Sequence, residues 1–194
     1  MEKLNEEIIS VCLKICKRGE GAIIVVGDCE YTPLVKQVVP SFNVIENPKL
    51  LESLALQDGA VVLDKFGIMK AYGVMLKVNK LQILKNFGTR HNSGINASMK
   101  EGNKVYVVSE EECKVRVYVA GKLILEIDGK QKGIEKKVPE ISKITESVGF
   151  GTLSFLGASA ILPTIGLALI PGVIIFGGTH YLISLIKNWE KGKC

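Results

Sequence analysis

Gly21-Ala22-Ile23-Ile24-Val25-Val26-Gly27 is the stretch that decides the fold class. A short continuous apolar run bounded by glycines is what a strand buried on both faces looks like. Before it, Leu4, Ile8, Val11, Cys12 and Ile15 recur at helical spacing, and Gly19 is placed to end that helix. After it, Asn47 and Pro48 pair a cap with a first-turn proline, predicting a helix to about Leu56. Ala60-Val61-Val62-Leu63 and Ile68-Met69-Lys70-Ala71-Tyr72 follow as strands around a turn at Lys65-Phe66-Gly67. Helical turns are expected from about Asn79 to Lys85 and from about His91 to Lys100. Lys104 to Val108 is the next strand. Val115 to Val119 then alternates, Gly121 turns the chain, and Lys122 to Ile127 closes a hairpin. Strands outnumber crossover helices. The fold class is therefore α/β, with a mixed twisted sheet flanked by helices over residues 1–130.

The chain has 194 residues, 47% of them hydrophobic and 23% charged, with a formal net charge of +5. That length allows one full domain and a small appendage, and that composition excludes a disordered chain. Its charges are unevenly spread. Glu190 is the only acidic residue beyond Glu146, and no Lys, Arg, Asp or Glu lies between Ser147 and Ile186. A spanning helix needs about 20 mostly apolar residues, so this tail is long enough for two. Leu162-Pro163-Thr164-Ile165-Gly166 is a plausible reversal point and Pro171-Gly172 a second weak spot. Lys136, Lys137 and Lys143 precede the tail, and Lys187, Lys191 and Lys193 follow it. Positive flanks on both sides favour a hydrophobic hairpin with both ends in the cytoplasm. The expected organisation is a connector at 131–146, membrane segments at 147–186 and a basic cytoplasmic tail at 187–194, with lipid as a partner. The start, Met1-Glu2-Lys3-Leu4-Asn5-Glu6-Glu7, is acidic and amphipathic, unlike a signal peptide, so the soluble part is expected to face the cytoplasm. Five cysteines, at 12, 16, 29, 113 and 194, include no CxxC pair, so neither a disulfide framework nor a zinc site is indicated. The modest positive charge lacks a dense basic run interleaved with aromatics. Nucleic acid is not an expected partner.

Three polar clusters interrupt the apolar elements. Asp58-Gly59-Ala60 enters a strand, where a glycine beside a carboxylate lets a phosphate or metal approach the backbone; Asp-Gly is also a common turn. Gly88-Thr89-Arg90-His91-Asn92 leads into a helix, and helix amides, a hydroxyl, a guanidinium and an imidazole together suit a polyphosphate. Ser109-Glu110-Glu111-Glu112 follows a buried strand, and one or two of its carboxylates could hold a divalent cation. A carboxylate, a phosphate cradle and a second carboxylate are the parts of metal-assisted phosphoryl or nucleotidyl transfer.

In order and spacing, Asp58-Gly59-Ala60, Gly88-Thr89-Arg90-His91 and Val107-Val108-Ser109-Glu110-Glu111 resemble the diadenylate cyclase (DAC, DisA-type) domain family, whose motifs are DGA, GTRHR and a strand ending in SE or SEE. The resemblance is strong from about Asn47 to Ile127. It implies a nucleotidyltransferase that condenses two ATP molecules into cyclic di-AMP and two pyrophosphates across a face-to-face homodimer, which the apolar tail is expected to anchor to the membrane. Carried over by position, Asp58, Gly59, Arg90 and His91 would be catalytic. Gly59, Ala60, Gly88, Thr89, Arg90, His91, Asn92 and Ser109 would line the nucleotide and its phosphates. Asp58, Glu110 and Glu111 would hold Mg²⁺ or Mn²⁺. One position departs from the family pattern: Asn92 stands where GTRHR has its second arginine. If that arginine makes a charge-assisted contact, its loss weakens the site by about 1.5–3 kcal/mol. A degenerate domain that binds ATP or cyclic di-AMP without turnover is the alternative that Asn92 favours.

Overall fold

The computed structural model describes residues 1–36, 38–77, 88–149 and 171–175. The helix expected at 79–85 and most of the uncharged tail lie outside these residues. The sheet is built around β1 (Ala22–Val26), whose five residues are all buried, as expected of an apolar run with no polar face. β1 pairs in parallel with β3 (Ala60–Leu63) and antiparallel with β5 (Lys104–Ser109). Beyond β3 lie β4 (Met69–Leu76) and the short edge strand β2 (Tyr31–Pro33). Beyond β5 lie β6 (Lys114–Val119), β7 (Lys122–Asp128) and β8 (Val173–Ile175), giving the order β2-β4-β3-β1-β5-β6-β7-β8. The sheet is mixed, as the strand count implied.

Because side chains alternate across a strand, the sheet has two cores. Ile24, Val26, Val61, Leu63, Tyr106, Val108 and Val115 face a layer made by α1 (Glu2–Lys17) with α2 (Pro48–Ala55) and α4 (Val138–Gly149). Ile23, Val25, Val62, Val105, Val107 and Tyr118 face α3 (Thr89–Ser98), which contributes Ile95 and Ala97. The Gly94 position on α3 lies against Val107, so a side chain there would push α3 off the sheet. Gly19 ends α1 at φ +74, with its amide on the Cys16 carbonyl and that of Glu20 on Ile15. Pro48 opens α2 after Asn47, as the sequence predicts, although the Asn47 side chain makes no capping bond.

Four features differ from expectation. β2 has no apolar run to announce it, and its Pro33 is tolerated because it lies at the sheet edge. The connector expected at 131–146, charged and weakly helical, holds a 3₁₀ turn (Ile134–Lys137) that leads into α4, and it buries Ile134, Val138 and Ile141 in the core under α1. Ile134, Val138, Ile141 and Thr145 are buried at helical spacing, a pattern that the lysines and glutamates between them obscure in the sequence. Cys16 and Cys113 form a disulfide, with Cα atoms 4.9 Å apart and a sequence separation of 97. No spacing signature marks a bond over such a distance, which is why an odd count without CxxC pointed away from it.

The fourth difference concerns the tail. Val173–Ile175 pairs antiparallel with Leu125–Ile127 of β7 after a turn at Pro171-Gly172. Of the membrane hairpin expected over 147–186, only 147–149 and 171–175 are described, and Val173–Ile175 is a strand where a helix was expected; the rest lies outside the described residues. Among the described residues, no helix is long and apolar enough to cross a membrane.

Candidate active site

The three polar clusters meet at one end of the sheet, and strand register brings them there. Ile24 of β1 is level with Val61 of β3, so two residues back Ala22 is level with Gly59. On its other side Ala22 is level with Val108 of β5. Asp58-Gly59 and Ser109-Glu110 therefore flank the start of β1, two strand spacings or about 10 Å apart. Arg90, in the first turn of α3, completes the group. Its guanidinium lies over Gly21, where a Cβ would come within 2.9 Å of Cζ, and its Nη1 is 2.9 Å from Glu110 Oε2. Gly21 thus leaves room for the pair, a role that the apolar run beside it gave no reason to suspect.

Each expected residue has a definite place. The Asp58 carboxylate is exposed and accepts the Gly59 amide at 3.0 Å. Gly59 has φ +99, and a Cβ on it would lie 2.7 Å from the Val74 nitrogen and 2.8 Å from the Val74 oxygen. Close packing against β4 therefore requires this glycine, whatever approaches from outside. Ala60 is buried as the first residue of β3. Gly88 is the extended cap residue of α3, so the helix begins at Thr89, two residues before the expected start. The Asn92 side chain donates to the Gly88 carbonyl at 3.2 Å. Ser109 is buried at the end of β5, where its Oγ accepts the Glu112 amide at 3.4 Å; Glu110 and Glu111 are exposed in the turn that follows.

His91 lies deeper than its neighbours, only 8% exposed. Its Nε2 is 2.8 Å from Nη1 of Arg116 on β6. Burial, and after it the Arg116 charge, pushes the imidazole down to about 4, so it is neutral near pH 7. Arg116 also donates from Nε to Glu126 at 2.6 Å and from Nη2 to Glu112, while Lys114 reaches the other Glu126 oxygen at 2.8 Å. Burial raises the Glu126 carboxyl, but hydrogen bonds from Lys114 and Arg116 outweigh it and hold the group below its ordinary value. Arg116, Glu112 and Glu126 had not been singled out as site residues. The signal was present in the hairpin around Gly121, whose register sets Arg116 opposite Glu126.

Electrostatically, this end of the sheet combines a helix N-terminus and the Arg90 guanidinium with carboxylate oxygens. Among the described residues no three His, Cys, Asp or Glu side chains form a ready metal cage. Magnesium-type sites commonly use one or two carboxylates and complete their shell with substrate phosphates and water. Asp58, Glu110 and Glu111 are the right donor type for such a partial shell.

A family model described as DAC, DisA bacterial checkpoint controller nucleotide-binding, matches residues 10–123. The chain belongs to the DAC family. All the residues placed above, except Glu126 at its margin, fall inside the DAC segment. Among curated relatives, a diadenylate cyclase of Haloferax volcanii is 29% identical over 138 residues, covering 63% of this chain and 51% of that protein. The DNA integrity scanning protein DisA of Corynebacterium efficiens is 33% identical over 110 residues, covering 56% of this chain and 31% of that protein. This DAC chain thus spans about half of the first relative's length and under a third of the second's. A solved structure of DacA from Staphylococcus aureus, 20% identical, superposes with a TM-score of 0.53 over 77% of this chain and 97% of that one. At that identity the likeness shows the DAC fold alone.

Proposed function

We propose that this DAC chain is a diadenylate cyclase, converting two ATP molecules to cyclic di-AMP and two pyrophosphates. The observation that carries it is the meeting of the three ordered motifs at the start of β1, around the Arg90–Glu110 pair, within the segment that matches the family. Each 3′-hydroxyl attacks the α-phosphorus of the other nucleotide, losing its proton as a P–O bond forms and pyrophosphate leaves. One site holds half the reactants, so two copies must meet face to face. The backbone amides at the start of α3, the Thr89 hydroxyl and Arg90 would hold the phosphates. When a phosphate takes Arg90, Glu110 is released from its ion pair and becomes an oxygen donor next to Glu111, across the start of β1 from Asp58. Mg²⁺ or Mn²⁺, held by those carboxylates, would supply charge neutralisation on the phosphate oxygens. Asp58 would also assist the attacking hydroxyl by accepting its proton. Attachment of this cytoplasm-facing domain to a lipid surface, through the uncharged residues beyond Gly149, belongs to the same proposal and rests on their composition.

The test is incubation of the chain with ATP and Mg²⁺ or Mn²⁺, followed by mass identification of the nucleotides. Cyclic di-AMP and pyrophosphate in a one-to-two ratio are expected, and Asp58→Asn should abolish turnover by a hundredfold or more with folding intact. ATP returned unchanged by the full chain under both metals would overturn the proposal. Asn92 supports a second reading, a domain that binds nucleotide without turning it over, because a neutral amide engaged on Gly88 stands where the family has an arginine. Under that reading Asn92→Arg should raise activity tenfold or more; an unchanged rate marks Asn92 as an accepted variant.

A further inference from the structure

One buried side chain at this edge has no part in the chemistry above. Arg116 is 5% exposed in the middle of β6, and its three guanidinium nitrogens go to three different elements. Nε donates to Glu126 on β7 at 2.6 Å, Nη2 donates to Glu112 in the turn after β5, and Nη1 lies 2.8 Å from His91 Nε2 on α3. A guanidinium offers donors only, so Nε2 must accept and the neutral imidazole carries its hydrogen on Nδ1. Two carboxylates already neutralise the Arg116 charge, which makes it a poor phosphate ligand and a good brace. The phosphate-binding turn 88–91 and the acidic turn 109–112 are otherwise linked by the half-exposed Arg90–Glu110 pair, which substrate would open.

We propose that Arg116 is a positioning residue: its planar fork holds His91 in the Nδ1-protonated tautomer and ties the start of α3 to the acidic turn, so that both halves of the site keep their spacing when nucleotide breaks the Arg90–Glu110 pair. The effect on turnover rests on the cyclase proposal; the tautomer does not.

The experiment uses the full chain with ¹⁵N-labelled histidine, which it contains at two positions, and His180→Gln to leave His91 as the single imidazole. Proton-detected NMR near pH 7 should show a protonated Nδ1 and an unprotonated Nε2. In Arg116→Met the Nδ1 tautomer should give way to the Nε2-protonated form, with kcat at least tenfold lower and KM for ATP changed less than threefold. Arg116→Lys keeps a cation but cannot span three partners, and kcat should fall between the two. A protonated Nε2 in the parent overturns the proposal, and so does a kcat that survives Arg116→Met. If Arg116→Met does not fold, Arg116→Lys decides alone: a loss of threefold or more in kcat supports the brace, and an unchanged rate removes it. If the parent makes no cyclic product the cyclase proposal fails, and the imidazole spectrum of parent and variant still decides the positioning role.

Discussion

Gly59 shows how one residue can answer to two demands. Its left-handed φ and the Val74 backbone behind it leave no room for a methyl group. Gly59→Ala is expected to lower stability by about 3 kcal/mol, read as a fall in the urea midpoint. An unchanged midpoint would mean that β4 yields. His91 sets a pH dependence. Its folded value, near 4, is depressed from the ordinary 6.5, so the unfolded chain takes up the proton first. The stability this difference confers is complete above about pH 6.5 and is lost as pH falls towards 4. Urea unfolding from pH 7 to 4.5 should decline more steeply for the parent than for His91→Gln; parallel declines would assign the acid sensitivity elsewhere. At this scale Asp58, Arg90 and Glu110 were legible, because chemistry-bearing residues in fixed order form a pattern. Arg116 was not, since a charge within an alternating strand reads as solvent-facing until a helix is known to cover it.

Among the elements, those marked by an apolar run, by helical spacing or by cap and turn residues were legible to within about two residues: α1, β1, α2, β3, α3, β5 and the β6–β7 hairpin. The others depend on neighbours. β2 has three residues and is held by pairing with β4, and β8 borrows the edge of β7. Residues 134–149 turn helical, with Ile134, Val138 and Ile141 buried, because α1 offers them an apolar face, and Lys104 reaches the Thr145 carbonyl at 3.0 Å from within the sheet. Ile141, fully buried on α4, tests whether this element belongs to the domain. Ile141→Ala should cost about 2–4 kcal/mol in chemical denaturation, as for other core truncations. A cost below half a kilocalorie would restore the connector role that its charge suggested.

For the whole molecule, three layers fix the site at the sheet end where β1 and β3 begin and β5 ends, and α1 is bonded covalently to the far side of that end through Cys16–Cys113. Closing so long a loop restricts the unfolded chain, so reduction, or Cys113→Ser, should lower stability by about 2–5 kcal/mol. Equal urea midpoints with and without dithiothreitol would show that the bond adds nothing. Sequence could not reveal the pairing, because only the folded sheet brings α1 beneath the turn after β5. The bond also makes a closed ring of residues 16–113, within which Asp58, Arg90 and Glu110 all lie. A protease that cuts this ring once opens it without releasing a fragment: both pieces migrate together on a non-reducing gel and part only when thiol is added.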